Sequence, residues 1–245
     1  MRKVLPLDSI IFNALKISNF TKDELIKYII DNIEYDNQIT LFGYSLKAFR
    51  DKVEYPELIN ISNAFDVSVL DGRWLYFVLK LKKIKIKYFI SIPQSVNLTL
   101  DIANKKGYSV VLFGSTEELN RKAILNLKTK YPNIVFLNGI SGYNYDENIV
   151  VNTIKQIKPN ILLIGLPTPQ KEEFAYKYMN CNLSNVVIPC GGMINVFAGK
   201  EVLTPNWAKN MGLAVLFRLA QSPNKISRIK CICSYVKYTL RDILK

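Results

Sequence analysis

One short stretch of the chain decides the fold, and it reads Ser109-Val110-Val111-Leu112-Phe113-Gly114-Ser115-Thr116-Glu117-Glu118. Its first half is an apolar run that is typical of a buried strand, and Gly114 ends that run. Residues 115–118 place a serine three positions before a glutamate, which predicts a capping box and a helix to about residue 130. A strand that passes through a glycine into a capped helix is the beginning of a βαβ unit.

The same alternation of apolar runs and helical patterns extends along most of the chain. Further strands are predicted at residues 39–42, 67–70, 134–137, 161–164 and 186–188. Further helices are predicted at residues 22–33, behind a capping box at 21–24, and at residues 45–53, 74–81, 147–157 and 169–179. This alternation predicts an α/β fold, with a Rossmann-like, mostly parallel sheet and helices on both faces. In such sheets, ligands bind at the carboxyl ends of the strands.

Composition excludes several classes of protein. The chain has 245 residues, of which 49% are hydrophobic, so it can bury a sizeable core and is not disordered, collagen-like or a coiled coil. Its longest apolar runs have about six residues, far fewer than the roughly 20 that cross a bilayer as a helix. The amino terminus becomes polar too soon for a signal peptide.

Histidine and cysteine usage limits the chemistry. The chain has no histidine, so it cannot build a Ser-His-Asp triad, a Cys-His dyad or a histidine-ligated metal site. The four cysteines are Cys181, Cys190, Cys231 and Cys233, and they form no C-x-x-C pair. They are expected to be buried or half-buried free thiols in a reducing cytoplasm.

The net charge of +13 is unevenly distributed. Residues 200–245 hold nine basic and two acidic residues. A second cluster has no acid among its lysines, which are Lys80, Lys82, Lys83, Lys85 and Lys87. Such clusters indicate an anionic partner, either the phosphates of a nucleotide, a lipid surface or nucleic acid. Nucleic acid is the weakest of these, because the chain lacks an expected recognition fold and a stacking motif. A solvated surface is the alternative.

Two features at predicted strand ends have chemistry of their own. Asp71 follows an apolar strand and precedes a glycine, so its carboxylate would project into the crevice as a general base for a sugar hydroxyl. An ordinary Asp-Gly turn is the commoner reason for such a pair. Gly191-Gly192 would let the backbone approach a phosphate closely, although a plain tight turn is at least as frequent. Neither a G-x-G-x-x-G nor a Walker-type motif is present.

Several motifs together resemble the WecG/TagA/CpsF family of bacterial glycosyltransferases. The resemblance is most specific in Val187-Ile188-Pro189-Cys190-Gly191-Gly192-Met193-Ile194-Asn195-Val196-Phe197-Ala198-Gly199-Lys200, Pro205-Asn206-Trp207, Gly212-Leu213 and Phe217-Arg218-Leu219-Ala220-Gln221-Ser222-Pro223. Leu70-Asp71-Gly72 stands at the family's P-D-G, and residues 169–172 resemble its P-x-Q-E. The resemblance covers the chain from about residue 13 onward.

This resemblance implies a Rossmann-like glycosyltransferase domain at residues 1–200 and a basic helical appendage at residues 201–245. The family passes a sugar from UDP, with inversion, to a sugar on a polyprenyl pyrophosphate, and needs no metal or other cofactor. The implied donor sugar is an N-acetylhexosamine or a related hexose. The implied partners are the UDP-sugar, the polyprenyl-linked acceptor and an anionic membrane surface, with no nucleic acid; homo-oligomer formation is left open. The protein is expected to be peripheral, on the cytoplasmic face of the cell membrane, with the appendage both binding the membrane and closing the active site.

The resemblance also assigns residues to the site. Asp71 matches the family's proposed base, and the spacing of Arg218, Lys225 and Arg228 matches the basic residues that close over the nucleotide diphosphate. The residues implied to bind the donor are Gly43, Ser45, Gln170, Lys171, Glu172, Gly191, Gly192, Asn195, Arg218, Lys225 and Arg228.

The chain departs from the family's motifs at four places. The family's T-x-N falls on Gly43-Tyr44-Ser45 and its later arginine falls on Phe89. The glutamine of P-x-Q-E falls on Lys171, and the aspartate after Gly-Gly falls on Asn195. A degenerate, non-catalytic member that binds nucleotide-sugar or partner enzymes is therefore the alternative to an active glycosyltransferase.

Residues 226–245 are predicted to form a basic amphipathic helix. Apolar residues recur there at helical spacing, and lysine and arginine residues lie among them. This pattern is typical of a helix that lies on an anionic membrane leaflet. An ordinary helix packed on the core is the alternative.

Overall fold

The computed structural model describes residues 4–45, 47–205, 208, 217, 219–220 and 225–243. The strands are β1 (Ser9–Phe12), β2 (Leu15–Ser18), β3 (Ile39–Tyr44), β4 (Val67–Leu70), β5 (Ser109–Gly114), β6 (Val135–Ile140), β7 (Ile161–Gly165) and β8 (Val186–Pro189). The helices are α1 (Lys22–Glu34), α2 (Lys47–Glu54), α3 (Pro56–Asn63), α4 (Arg73–Leu81), α5 (Ile92–Lys106), α6 (Glu117–Lys130), α7 (Glu147–Ile157), α8 (Gln170–Lys177), α9 (Met193–Phe197) and α10 (Lys225–Ile243). Every predicted strand and helix is present, with ends that differ by about three residues at most.

Six strands form one parallel sheet in the order β4-β3-β8-β7-β5-β6, which confirms the predicted Rossmann-like α/β fold. β1 and β2 form a separate antiparallel hairpin. β7 pairs with β5 along its full length. The ladder between β3 and β8 is short, because it pairs only Ile39 and Thr40 with residues of β8. β8 then ends at Pro189, which has no N–H to donate.

Polar side chains connect the strands at the amino-terminal edge of the sheet. Asn160 Oδ1 accepts hydrogen bonds from the N–H and the hydroxyl of Ser109, at 2.9 and 3.0 Å. The Asn160 amide donates to Asn185 Oδ1 at 3.1 Å, and the Asn185 amide donates to Asp36 Oδ1 at 2.9 Å. Ile39 N–H donates to the Asn185 carbonyl at 2.8 Å. These bonds join the starts of β3, β8, β7 and β5.

Helices cover both faces of the sheet. α1, α5, α6 and α9 pack on one face, where their apolar side chains join one buried cluster. α2, α3, α4, α7 and α8 pack on the other face together with the β1–β2 hairpin. The central strands are therefore buried on both sides, which explains why each is an uninterrupted apolar run.

The cap of α6 lies one residue later than predicted. The N-cap is Thr116, whose hydroxyl accepts a hydrogen bond from Leu119 N–H at 3.3 Å, so the predicted capping box from Ser115 to Glu118 is wrong. Ser115 instead has a φ of 56°, and its hydroxyl donates to Asn195 Oδ1 at 2.6 Å. Ser115 and Thr116 are both residue types that cap helices. Because the Ser115 hydroxyl bonds to the distant Asn195, Thr116 caps the helix instead.

The sequence did not predict the β1–β2 hairpin. Its turn residues Asn13 and Ala14 have φ values of 48° and 67°, and alanine rarely adopts such values. Asn63 holds the turn, because its amide donates to the Ala14 carbonyl at 2.7 Å and its oxygen accepts from Lys16 N–H at 2.8 Å. A turn that is stabilised by a side chain from α3 has no local sequence signal.

Glycines permit a close approach of the backbone where the chain turns in opposite directions, from β5 to β6 and from β7 to β8. A Cβ on Gly114, whose φ is +137°, would lie 2.5 Å from the carbonyl carbon of Gly165. A Cβ on Gly142 would lie 2.8 Å from the Cα of Gly114. Side chains would therefore force these loops apart at a point of reversal, where doubly wound sheets bind ligands.

The helix α10 confirms the helix that was predicted at residues 226–245. It packs against α2, where Arg50 Cζ lies 5.1 Å from the centre of the Tyr235 ring, and Thr239 is buried. Among the side chains of α10 that the structure describes, the large apolar ones that stay exposed are Ile226, Ile229, Val236 and Leu240. One face of α10 therefore packs on the domain and another is left open. Within the described ranges, no helix combines the length and apolar character that crossing a bilayer requires.

Replacing Gly114 by alanine is expected to lower the free energy of unfolding by roughly 2–4 kcal/mol, because the Cβ would overlap the Gly165 backbone at an unfavourable φ. Gly199→Ala is the matched control, since Gly199 has a φ of +74° and nothing within 4 Å of an added Cβ. Only the conformational cost of about 1 kcal/mol is expected there. Urea unfolding measures both variants, and equal losses would contradict the close approach of β5 and β7.

Candidate functional site

The candidate active site lies at the carboxyl-terminal edge of the sheet, where the ladder between β3 and β8 has ended. β3 and β4 bring Gly43, Ser45 and Asp71 to one side of this crevice. β7 and β8 lead to Lys171 and to Gly191-Gly192 on the other side. Parallel strands end at the same edge, so residues far apart in the chain are gathered here.

Asp71 is held by two neighbouring segments. Its backbone N–H donates to the carbonyl of Tyr44 at 2.7 Å, which extends the β3–β4 ladder by one residue. The N–H of Ile92, at the start of α5, donates to Asp71 Oδ1 at 3.4 Å. The amino-terminal end of a helix stabilises negative charge. The half-buried carboxylate therefore lies at the end of β4 with Oδ1 directed toward the start of α5.

Gly43 makes room for this arrangement. A Cβ on Gly43 would overlap Ile92 Cγ1 and would lie 2.9 Å from Asp71 Cβ, so a side chain would displace α5 or Asp71. Ser45 comes directly after β3, and its hydroxyl accepts a hydrogen bond from Lys47 N–H at 3.3 Å, at the start of α2. Gly43 thus shapes the crevice by lacking a side chain, and Ser45 connects it to α2.

Three polar side chains are linked across the ends of β5 and β8. The Ser115 hydroxyl donates to Asn195 Oδ1 at 2.6 Å, and the Asn195 amide donates to Glu201 Oε1 at 2.9 Å. A Cβ on Gly192 would lie 3.2 Å from the other carboxylate oxygen of Glu201. Sequence reasoning identified Asn195 and Gly192 and placed Ser115 at a strand end, but it missed Glu201, because the contact of Glu201 with Asn195 follows no local pattern.

Lys171 places a cation between β3 and β8. Its Nζ lies 5.6 Å from the centre of the Phe42 ring, and its Cε would lie 3.7 Å from a Cβ on Gly191. The ammonium also pairs with Glu172 Oε1, which accepts a hydrogen bond from the Thr168 hydroxyl at 3.0 Å. The side chain of Glu172 is buried, and a buried carboxylate needs such compensation. Glu172 therefore helps to position the Lys171 ammonium through this ion pair.

Cys190 precedes Gly191 and is buried. Burial raises the pKa of its thiol to about 12, although the nearby Lys171 cation acts in the opposite direction. The thiol is therefore protonated at neutral pH and cannot act as a thiolate. The expectation of buried or half-buried thiols holds for Cys190 but is wrong for Cys181 and Cys233, which are exposed. Among the described residues, no group of three or more Cys, Asp or Glu side chains is placed to hold a metal ion.

A guanidinium lies beside Phe89, the residue at which the family resemblance would place an arginine. Arg73 Cζ is 5.8 Å from the centre of the Phe89 ring, within cation–π distance. Arg73 is the first residue of α4 and follows Asp71 by two positions. Sequence reasoning missed Arg73, because it lies near Phe89 in space but sixteen positions away in the chain.

Of the remaining predicted donor-binding residues, the structure describes the side chains of Gln170 and Lys225. Gln170 lines a cavity of about 310 Å³ together with Tyr145, Glu147, Glu173, Phe174 and Lys177. In this cavity the hydrogen bond from Lys177 lowers the pKa of Glu147. Lys225 is exposed at the start of α10. Arg218 and the side chain of Arg228 lie outside the part of the chain that the structure describes.

Comparison with known proteins identifies similar chains. A family model described as "Glycosyl transferase WecG/TagA/CpsF family" matches residues 10–244. An N-acetylglucosaminyldiphosphoundecaprenol N-acetyl-beta-D-mannosaminyltransferase from Bacillus subtilis (strain 168) is 25% identical over 195 residues, which cover 80% of this chain and 75% of that protein. A protein of the same name from Staphylococcus aureus (strain MW2) is 28% identical over 178 residues, which cover 73% of this chain and 69% of that protein.

Lys171→Met is expected to lower the free energy of unfolding by roughly 3 kcal/mol, because it leaves the Glu172 carboxylate buried without its cation. Adding Glu172→Gln should recover most of this loss, since the uncompensated charge is then removed. Urea unfolding at pH 7 measures the single and the double variant. A Lys171→Met chain that is as stable as the unmodified one would show that the ion pair does not stabilise the start of α8.

Proposed function

The chain belongs to the WecG/TagA/CpsF family of glycosyl transferases, and from this membership we propose the reaction that it catalyses. It transfers an N-acetylhexosamine or a related hexose, with inversion, from a UDP-sugar to a glycan on polyprenyl pyrophosphate, in the synthesis of a cell-surface polysaccharide. The names of the two relatives support this acceptor, since both are N-acetyl-beta-D-mannosaminyltransferases of N-acetylglucosaminyldiphosphoundecaprenol. The observation that carries the proposal is the Asp71 carboxylate, oriented at the crevice.

Asp71 acts as the general base of this reaction. The acceptor hydroxyl gives its proton to the carboxylate while its oxygen bonds to the anomeric carbon, and the bond from that carbon to UDP breaks on the opposite face. The chain has no histidine, so a carboxylate is the natural proton acceptor. The hydrogen bond from Ile92 N–H to Oδ1 supports the role, because it orients the carboxylate before the acceptor arrives.

Cations around the crevice neutralise the charge that builds on the departing UDP. Lys171 stands beside Gly191 on one side, and Arg73 follows the base on the other. Arg73 takes the place of the arginine that the family resemblance would put at Phe89, a role that its position over the Phe89 ring supports. Fixed cations stabilise a phosphate leaving group without reorganising during the reaction.

The remaining donor contacts come from the strand ends and from the appendage. The donor's sugar and phosphates are contacted after β8 by Gly191-Gly192 and Asn195. They are contacted at the end of β3 by Gly43 and Ser45. Gln170 and the Lys171–Glu172 pair complete the β7 side. In this proposal residues 1–200 form the catalytic domain, and residues 201–245 form an appendage that closes over the diphosphate with Arg218, Lys225 and Arg228.

The appendage also holds the protein to an anionic membrane, in peripheral association with its cytoplasmic face. The exposed apolar residues of α10 that the structure describes are three, seven and four positions apart, which places them along one side of the helix. The exposed cations among them are Lys225, Lys230, Lys237 and Arg241. A helix with such faces binds anionic lipid reversibly.

Asp71→Asn is expected to reduce turnover by about 10²–10⁴-fold with UDP binding retained, because it keeps the shape of the side chain and removes its basicity. Asp101→Asn is the matched control, since Asp101 is an exposed carboxylate on α5 and should leave turnover unchanged. Transfer from a panel of UDP-sugars to a polyprenyl-linked N-acetylglucosamine acceptor measures the rates.

Two outcomes of that experiment contradict the proposal in different ways. Near-normal turnover by Asp71→Asn would remove this residue from the role of base. An unmodified chain that binds UDP-sugars but transfers none to any acceptor would favour the non-catalytic alternative. Binding itself is measured by thermal stabilisation, where a ligand at about 100 times its dissociation constant adds roughly 2.7 kcal/mol.

Removing the appendage after Gln221 is expected to weaken binding to anionic vesicles by at least about tenfold, because the exposed face of α10 is lost. Ile229→Ser, Val236→Ser and Leu240→Ser in the full chain should weaken it similarly and leave the packing on α2 intact. Sedimentation with phosphatidylglycerol vesicles measures both. Equal binding by the unmodified, shortened and serine-substituted chains would show that α10 is not a membrane anchor.

A further inference from the structure

We propose that the outward side of α4 is a second docking surface for an anionic phospholipid bilayer, separate from α10. This α4 surface consists of Trp74, Phe77, Lys80 and Leu81 of α4, with Lys83 and Lys85 shortly after it. It begins three positions after Asp71, so docking there brings the crevice to the level of the lipid headgroups. The inference rests on the proposed function, in which the acceptor is held in the membrane.

The apolar part of the α4 surface lies opposite the face that anchors the helix. Leu75 and Leu79 are buried in the core beneath α4. Trp74, Phe77 and Leu81 are 48%, 38% and 75% exposed, and their spacing of three and four places them on one side of the helix. The Trp74 and Phe77 rings also contact each other, with centroids 6.3 Å apart. Large apolar side chains that are exposed together mark an interaction surface.

The charged part of the α4 surface is basic throughout. No acidic residue occurs between Gly72 and Ser91. Its exposed lysines are Lys80, Lys83 and Lys85. Lys87 is not included, because its Nζ pairs with Asp8 at 3.2 Å and with Glu24 at 3.8 Å. The surface therefore complements a negatively charged partner along its whole length.

An anionic bilayer fits this combination best. Tryptophan and lysine prefer the boundary between lipid and water. The indole ring of tryptophan is buried among the lipids there, while the lysine ammonium reaches the phosphate of a lipid headgroup. Nucleic acid would use the lysines but would leave Leu81 without an apolar partner. α4 also belongs to the same helix layer as α2, on which α10 packs, so both surfaces lie on one side of the sheet.

Vesicle flotation of the full chain tests the apolar part. Trp74→Ser, Phe77→Ser and Leu81→Ser together are expected to weaken binding to phosphatidylglycerol vesicles by about tenfold. The matched control is Leu125→Ser with Ile149→Ser, which removes side chains that are 61% and 66% exposed on α6 and α7. The control should bind as the unmodified chain does. Equal weakening of both variants, or of neither, would overturn the proposal.

A second pair of variants tests the charged part. Lys80→Gln, Lys83→Gln and Lys85→Gln together should weaken binding to phosphatidylglycerol vesicles and should not change the weak binding to phosphatidylcholine vesicles. Lys122→Gln with Lys128→Gln is the control, because both lysines are exposed on α6. Equal effects of the two variants would mean that total charge, and not the α4 surface, governs binding.

Tryptophan quenching locates the contact without changing the surface greatly. The chain has two tryptophans, Trp74 and Trp207. In Trp207→Phe the one remaining tryptophan is Trp74, and brominated phosphatidylglycerol should quench its fluorescence strongly. A vesicle-bound Trp207→Phe chain that the brominated lipid does not quench would overturn the proposal.

Comparing a water-soluble acceptor with a membrane-embedded one distinguishes a failure of the docking surface from a failure of the proposed reaction. The Trp74, Phe77 and Leu81 serine variant should transfer sugar normally to a water-soluble, short-prenyl acceptor and poorly to an acceptor embedded in vesicles. If the unmodified chain transfers nothing to either acceptor, the proposed function fails, while flotation and quenching still decide the docking. Binding to heparin or DNA without any binding to vesicles would overturn the inference in favour of another polyanion.

Discussion

The short ladder between β3 and β8 is the constraint on which the crevice depends. At the amino-terminal edge, Asn160 and Asn185 tie four strands together, so the sheet is closed there. At the other edge, pairing between β3 and β8 has stopped after Thr40, and the proline that ends β8 cannot resume it. The strands are therefore connected to one another at the amino-terminal edge, whereas β3 and β8 are unpaired at the carboxyl-terminal edge. The loops that contain Asp71 and Gly191 lie at this second edge.

The α/β architecture was predictable because the apolar runs in the sequence coincide with the strands that are buried in the fold. Strands that are covered on both faces must be apolar throughout, and such runs are readable in any sequence of this class. The helix α5 also had a readable signal, a capping box from Ser91 to Gln94, which was overlooked. The turn at Asn13-Ala14 had none, because Asn63 stabilises it from α3.

The candidate site was predictable where a residue stands directly after a strand or within a motif of the family. Asp71 was found in the first way, since strand ends converge in a parallel sheet, and Lys171 and Asn195 were found through the family resemblance. Arg73 and Glu201 could not be found from the sequence. Arg73 lies next to the ring of Phe89, sixteen positions away in the chain, and Glu201 accepts a hydrogen bond from the side-chain amide of Asn195 on α9. Side chains that meet across loops leave no periodic trace in the sequence, whereas those that follow strands do.

The buried thiol of Cys190 makes the native state sensitive to alkali. In the unfolded chain a thiol ionises near its ordinary pKa of 9.0, whereas burial raises the pKa of Cys190 to about 12. Between these values the unfolded chain binds fewer protons, so the stability gained by a neutral thiol is complete below pH 9 and is lost as pH rises toward 12. Tyr28 acts in the same direction, because burial raises its pKa to about 12.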